Sequence, residues 1–407
     1  MPDILISRIQ WQRVRGEHIA GMGLVMTIPF LSISDRYELS RRILEEEKRC
    51  FHPDAPNGCS PEGPIKSHSI SKGMSLASIA EAGYVISIAK PFDDIVFEDK
   101  AILEPKGIKV SSIFPGFCKK HDSELFSLIE TEGWNLNKAS CFLLSYRSLS
   151  NTVLNSRIKI RYFEHMNSID SERFDSIRDH GFSGEDIKRD YDFGVFARRY
   201  LFYQGQIGKD TEIDDVVRRQ YVAHAEWRAS IVELNPYLKV ARSFDDDAHL
   251  GKMRNMFFTG DCSQFRFVAV RYNYILPFAA SKNIVITIKS GGEESVSFAT
   301  LNVCSNKTDS FIVFGWIEDG GTAKDYIDTI TMGSENRIIN RVLGYIFKNP
   351  TNTFFQKSWW NSLAEETRHH ILSYHDDELN AFPYKVQSES EYRIFIPEFP
   401  PSGRLEG

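Results

Sequence analysis

Two pairs of residues with the chemistry of metal ligands stand out, Cys50/Cys59 in CFHPDAPNGC and Cys118/His121 in FCKKHD. Cysteine thiolates and histidine imidazoles are the ligands of closed, four-coordinate zinc sites. Pro53, Pro56, Asn57 and Gly58 make the segment between the first two cysteines a tight irregular loop, able to fold both thiolates onto one ion. A spacing of three at a helix start aims Cys118 and His121 to one side. The four residues read as one structural Zn2+ site, and the competing reading is buried thiols with an incidental histidine. Between the pairs stands His68 in KSHSIS, and Asp122 follows the last ligand directly. A neutral imidazole can take a proton near pH 7, and a carboxylate can hold a hard cation. The plainer roles are a hydrogen-bonded strand histidine and an acid favoured by the helix macrodipole. Lys66, Lys72, Lys119 and Lys120 flank these residues and could contact phosphates, or could simply be solvated.

Other residues of these types carry less. Cys141, Cys262 and Cys304 sit in apolar surroundings and read as buried thiols. His52 could stand in for a ligand, although a surface position is the simpler reading. His369, His370, His375, Asp376 and Asp377 have no standard ligand spacing and read as an exposed helix end. Trp359 and Trp360 read as packing residues. Arg198, Arg199, Arg218 and Arg219 fit either backbone contacts to nucleic acid or the polar faces of helices.

The elements that must position the site follow from periodicity. A helix over 36–49, capped at Ser34-Asp35, delivers the chain to Cys50. A strand over 65–71, a short helix over 75–82 and a strand over 84–88 follow, and the charged segment from Lys90 to Val110 reads as an insertion. After the Pro115-Gly116 turn, Asp122, Leu125, Phe126, Leu128 and Ile129 have the period of an amphipathic helix, with Cys118 and His121 at its start. Long helices are expected at 137–155, 169–180, 186–203 and 213–228. From Arg228 to Trp316, runs such as RFVAVRYNYIL, NIVITI and SFIVFGW predict a sheet, with helices after it at 323–331 and 337–347.

The chain has 407 residues, more than one ordinary core accommodates, so the expected division is 1–135, a helical middle at 136–228 and a C-terminal part at 229–407. Its 42% hydrophobic and 26% charged residues are those of a soluble globular protein. The apolar run from Ala20 to Ile33 is broken by Gly21, Gly23 and Pro29 and falls short of about 20 residues, so no membrane span is expected. The start lacks the pattern of a signal peptide, which predicts a cytoplasmic protein with reduced thiols. A net charge of −6 argues against coating nucleic acid by bulk electrostatics, while leaving room for a local basic groove.

Over Cys50 to Glu130, these residues resemble the HNH or His-Me finger endonucleases, which are built on a zinc-stapled ββα unit. The stretch is also similar to uncharacterised prokaryotic proteins found with phage-defence genes. The resemblance implies an HNH-like N-terminal unit; with the helices and sheet read from the segment patterns, an α+β protein is expected, with a helical region and a mixed C-terminal domain whose sheet is mainly antiparallel. It implies that Cys50, Cys59, Cys118 and His121 hold zinc, that His68 is the catalytic base, and that Asp122 binds a catalytic Mg2+ or Mn2+. Such a protein would hydrolyse phosphodiester bonds of DNA, with RNA also open, in anti-phage defence. The alternative is a non-catalytic zinc scaffold or sensor that binds a partner protein or ligand, and the C-terminal part could also serve a homo-oligomer.

Overall fold

Alternating β-branched and aromatic residues between Phe265 and Ile317 build the largest element of the fold, four long strands paired antiparallel in order of packing. The structure, a computed structural model, describes residues 33–89, 102–179, 249–290, 293–318, 321–348, 350–373 and 403–406. In chain order, the secondary structure begins with α1 (Ile33–Glu47), β1 (Pro64–His68), a short helical segment at 72–79, β2 (Tyr84–Ala89), β3 (Ile102–Gly107) and β4 (Ile113–Cys118). Then come α3 (Lys119–Glu130), α4 (Lys138–Asp179) and α5 (His249–Thr259), where the segment at 72–79 is counted as α2. The remainder comprises β5 (Phe265–Tyr272), β6 (Phe278–Ser290), β7 (Glu293–Ser305), β8 (Ser310–Ile317), α6 (Thr322–Thr331), α7 (Glu335–Lys348), β9 (Thr353–Phe355), α8 (Lys357–Ser362), α9 (Glu365–Ser373) and β10 (Gly403–Glu406).

Eight strands form one sheet in the order β10-β5-β8-β7-β6-β9-β2-β3, and its registered pairings are antiparallel. Both faces are covered, which explains why β8 is buried along its whole length. Ile312, Phe314 and Trp316 pack with Ile327 of α6 and Ile339, Val342 and Leu343 of α7. Phe311 and Val313, on the other face, pack with Cys141, Leu144 and Tyr146 of α4. The mixed α/β architecture with a mainly antiparallel sheet is therefore as the residue patterns predict, and α6 and α7 lie where periodicity places them. Trp359 and Trp360 pack on Phe355 and Phe347, as aromatic core residues.

Three expectations change. Residues 102–107 are not part of a pendant insertion: β3 pairs along its whole length with β2, and β2 joins the large sheet through β9. The helices expected at 137–155 and 169–180 are parts of one helix, α4. Strands from both sides of residue 135 share one sheet, so the hydrogen-bond ladder crosses the expected boundary there. The helices expected at 186–203 and 213–228 lie outside the described residues, as do most of the Ala20–Ile33 run and Arg198, Arg199, Arg218 and Arg219. No helix among the described residues is long and apolar enough to cross a membrane.

A second, two-stranded sheet matters more for chemistry. Strand β1 runs antiparallel to β4, with Pro64 opposite Cys118 and His68 opposite Ile113, and α3 starts at the residue after β4. Helix α4 lies against this unit. From Ser140 to Leu154 its residues are apolar or small, apart from one arginine, and a helix of that kind is buried all round.

Candidate metal centre

The sulfur atoms of Cys50, Cys59 and Cys118 and a ring nitrogen of His121 all lie within 4.8 Å of one another. His121 Nδ1 is 3.4 Å from Cys50 Sγ and 3.6 Å from Cys59 Sγ. Zinc bonds of about 2.3 Å to sulfur and about 2.0–2.1 Å to nitrogen, at tetrahedral angles, put sulfur and nitrogen about 3.6 Å apart. The cluster thus has a Cys3His donor set that could hold a metal ion, and its two closest sulfur–nitrogen distances are those of tetrahedral zinc.

Local structure delivers each ligand. Cys118 is the N-cap of α3 and His121 stands in its first turn, so both face the incoming loop. Between Cys50 and Cys59 the chain turns back through Gly58, whose φ of +65° is left-handed backbone that suits glycine. A side chain there would also crowd Lys120 Nζ and His121 Nε2, at 3.2 and 3.6 Å from the added carbon. Main-chain donors stitch the loop down: Phe51 N–H donates to the Gly116 carbonyl, Cys118 N–H to Cys50 Sγ at 3.4 Å, and Ser60 N–H to Cys118 Sγ at 3.4 Å. The Tyr146 hydroxyl of α4 donates to the Phe51 carbonyl.

The thiols differ in acidity. Burial pushes the Cys50 thiol up to about 12, so a metal binding there near neutral pH would have to displace a proton. Burial also raises Cys59. Burial works upward on Cys118 as well, but the N–H groups of His121 and Ser60 outweigh it and hold that thiol below its ordinary value. His52 does not join the cluster: its ring stacks on His121 at 3.8 Å between centroids, and both group with Glu124 on the outer side.

His68 ends β1, and its Nδ1 lies 2.9 Å from the Ser111 carbonyl oxygen. A carbonyl only accepts, so Nδ1 carries the proton and Nε2 keeps its lone pair. The carbonyl is aimed by a kink at Ser112, where φ is +54° and Oγ is within 3.2 Å of both the amide and the carbonyl of Ile70. Burial holds His68 below the ordinary imidazole value, and Lys72 and Arg147 push the same way.

Asp122, in the first turn of α3, points not to the thiolates but to Arg147 of α4, whose Nη2 is 3.5 Å from Oδ1 and 2.8 Å from Glu130 Oε1. Arg147 is 1% exposed and its guanidinium lies over the Phe126 ring at 4.0 Å. Burial raises the Asp122 carboxyl more than Arg147 and the Ser67 hydroxyl lower it. Arg147 and Glu130 also act on His68, so His68 and Asp122 share one charged neighbourhood beside the metal centre. Neither Arg147 nor Glu130 was singled out by spacing. The available signal was that Arg147 is the one charge in α4 between Ser140 and Leu154, and a charge in such a stretch must be buried with partners.

Lys66, Lys72, Lys119 and Lys120 are all exposed, with Lys72 near enough to His68 to act on it. Cys141 and Cys304 are buried thiols far up in pKa, Cys141 at about 12, as apolar surroundings dictate. His369 and His370 are exposed on α9, and His375, Asp376 and Asp377 lie outside the described residues. Comparison with family models, with curated proteins and with solved structures gave no match.

Proposed function

We propose that the chain is an HNH-like endonuclease that hydrolyses phosphodiester bonds, with invading DNA as its substrate and a structural zinc held by Cys50, Cys59, Cys118 and His121. The observation that carries this reading is the state of His68. It sits at the end of the first strand of a ββα arrangement, proton fixed on Nδ1 by the Ser111 carbonyl, with burial favouring the neutral ring. That is the state a general base needs to take a proton from water through Nε2. A divalent ion such as Mg2+ or Mn2+, when bound, would neutralise charge on the scissile phosphate and leaving oxygen. Asp122 is the residue to hold it, through the carboxylate oxygen not turned to Arg147. The exposed Lys66 and Lys72 on one side, and Lys119 and Lys120 on the other, are suited to backbone phosphates.

One observation favours a second reading, a non-catalytic zinc scaffold that binds a partner. Arg147 already offers Asp122 a positive charge, and a carboxylate so paired has less need of a metal. Cleavage of plasmid DNA and of RNA by purified protein with Mg2+ or Mn2+ separates the two. Under the nuclease reading, His68→Ala and Asp122→Ala abolish cleavage while keeping the parent's zinc content and circular dichroism. Parent protein that cleaves neither substrate, or variants as active as the parent, would leave the scaffold reading standing.

A further inference from the structure

A cavity lies where α4, the end of α3, residues 69–75 and β7 meet. Its lining is mostly apolar, from side chains such as Ile70, Ile129, Leu144 and Val303, but buried polar groups share it. Trp134, Arg147, Asn302 and Ser305 all face it and are all 5% exposed or less. Each also has a side-chain group without a hydrogen-bond partner: Trp134 Nε1, Arg147 Nε, Asn302 Nδ2 and Ser305 Oγ. The first three can only donate. Native interiors leave few such groups unpaired, and four on one cavity call for a ligand that accepts hydrogen bonds.

Size and charge identify it. The cavity has room for about one water-sized molecule, which excludes nucleotides, sugars and amino acids. A halide could accept from every donor, so charge must decide between halide and water. Arg147 already faces two carboxylates, Glu130 at 2.8 Å and Asp122 at 3.5 Å, and an anion would add a third negative charge around one guanidinium. We infer that the cavity is a binding site for a resident water molecule that accepts from two of the obligate donors and donates to the Ser305 hydroxyl. The water joins the helix that carries Arg147 to strand β7, and so helps to fix the guanidinium that faces Asp122.

Two measurements on the full-length chain test this independently of any nuclease activity. The first is a high-resolution crystal structure grown once with chloride and once with bromide. It should show one peak about 2.7–3.2 Å from at least two of the four groups, with no anomalous signal from bromide. An empty cavity, a bromide peak, or donors paired with protein groups instead would overturn the proposal. The second is the sign of the stability change in Ser305→Ala. Losing a hydroxyl bonded to water lowers Tm, whereas deleting an unpaired hydroxyl from a dry cavity raises it. A Tm equal to or above the parent's would overturn the proposal without a crystal.

Discussion

The Ser111 carbonyl, 2.9 Å from His68 Nδ1, decides which nitrogen of that ring carries the proton. The sequence shows a histidine between two ligand pairs, but not the kink at Ser112 that aims this carbonyl. The Cys3His cluster was legible because few residue types serve as zinc ligands and Cys-x2-His stands at a readable helix start. Arg147 was not, because arginines on helices are ordinarily solvated and only tertiary packing buries this one. Titration tests the residue account. Burial lowers the His68 pKa below 6.5, so under the nuclease reading the midpoint of the acid limb of the cleavage rate should fall below pH 6.5. By linkage, the unfolded chain then takes up the His68 proton first. The contribution of His68 to stability is full above pH 6.5 and declines as pH falls from there through the folded value. His68→Ala removes this contribution, so Tm measured from about pH 7 to pH 5 should fall less steeply in the variant than in the parent.

Helix α4 connects the two halves of the argument at the next scale. It covers the large sheet, packs Phe142 on Phe257 and Phe265, sets Tyr146 against Phe117 of the ββα unit, and sends Arg147 to the acids of α3. It packs closely on β8: a side-chain carbon added at Gly315 would come within 2.1 Å of Ser145 Oγ. Arg147→Ala would leave Asp122 with an uncompensated buried oxygen and Phe126 with a lost contact. A loss of about 3 kcal/mol by urea denaturation is expected, with zinc retained, since Arg147 touches no ligand of the cluster. Arg147→Lys should recover only part of it, because an ammonium cannot reproduce the flat contact with Phe126. The helix was legible as helix, though not as one piece of 42 residues. Strand β3 was illegible, because Glu104-Pro105-Lys106-Gly107 has no alternating pattern. Such a sequence is tolerated because β3 is an edge strand, where a proline need not donate.

The described residues are tied together by one sheet to which both the first and the last thirds of the chain contribute. The segment patterns announced the C-terminal strands, but pairing between β2 and β9 depends on contacts far apart in sequence, which no local pattern carries. A fragment ending at residue 135 would lose β9 from beside β2 and α4 from beside Phe126 and Ile129. Such a fragment should show no cooperative thermal transition even with zinc present. In the intact chain, a metal bound by the Cys3His cluster would close the loop from Cys50 to Cys59 onto α3, so its binding energy would also be folding energy. Because the half-buried Cys50 thiol must lose its proton to bind, acidification should release a metal held there. The most direct test of the account is therefore the metal content of purified, folded protein by elemental analysis, beside Cys118→Ser. The account predicts about one zinc per chain in the parent, with loss of both zinc and stability in the variant. Folded parent protein without zinc, or a Cys118→Ser variant that keeps its zinc and its Tm, would contradict it.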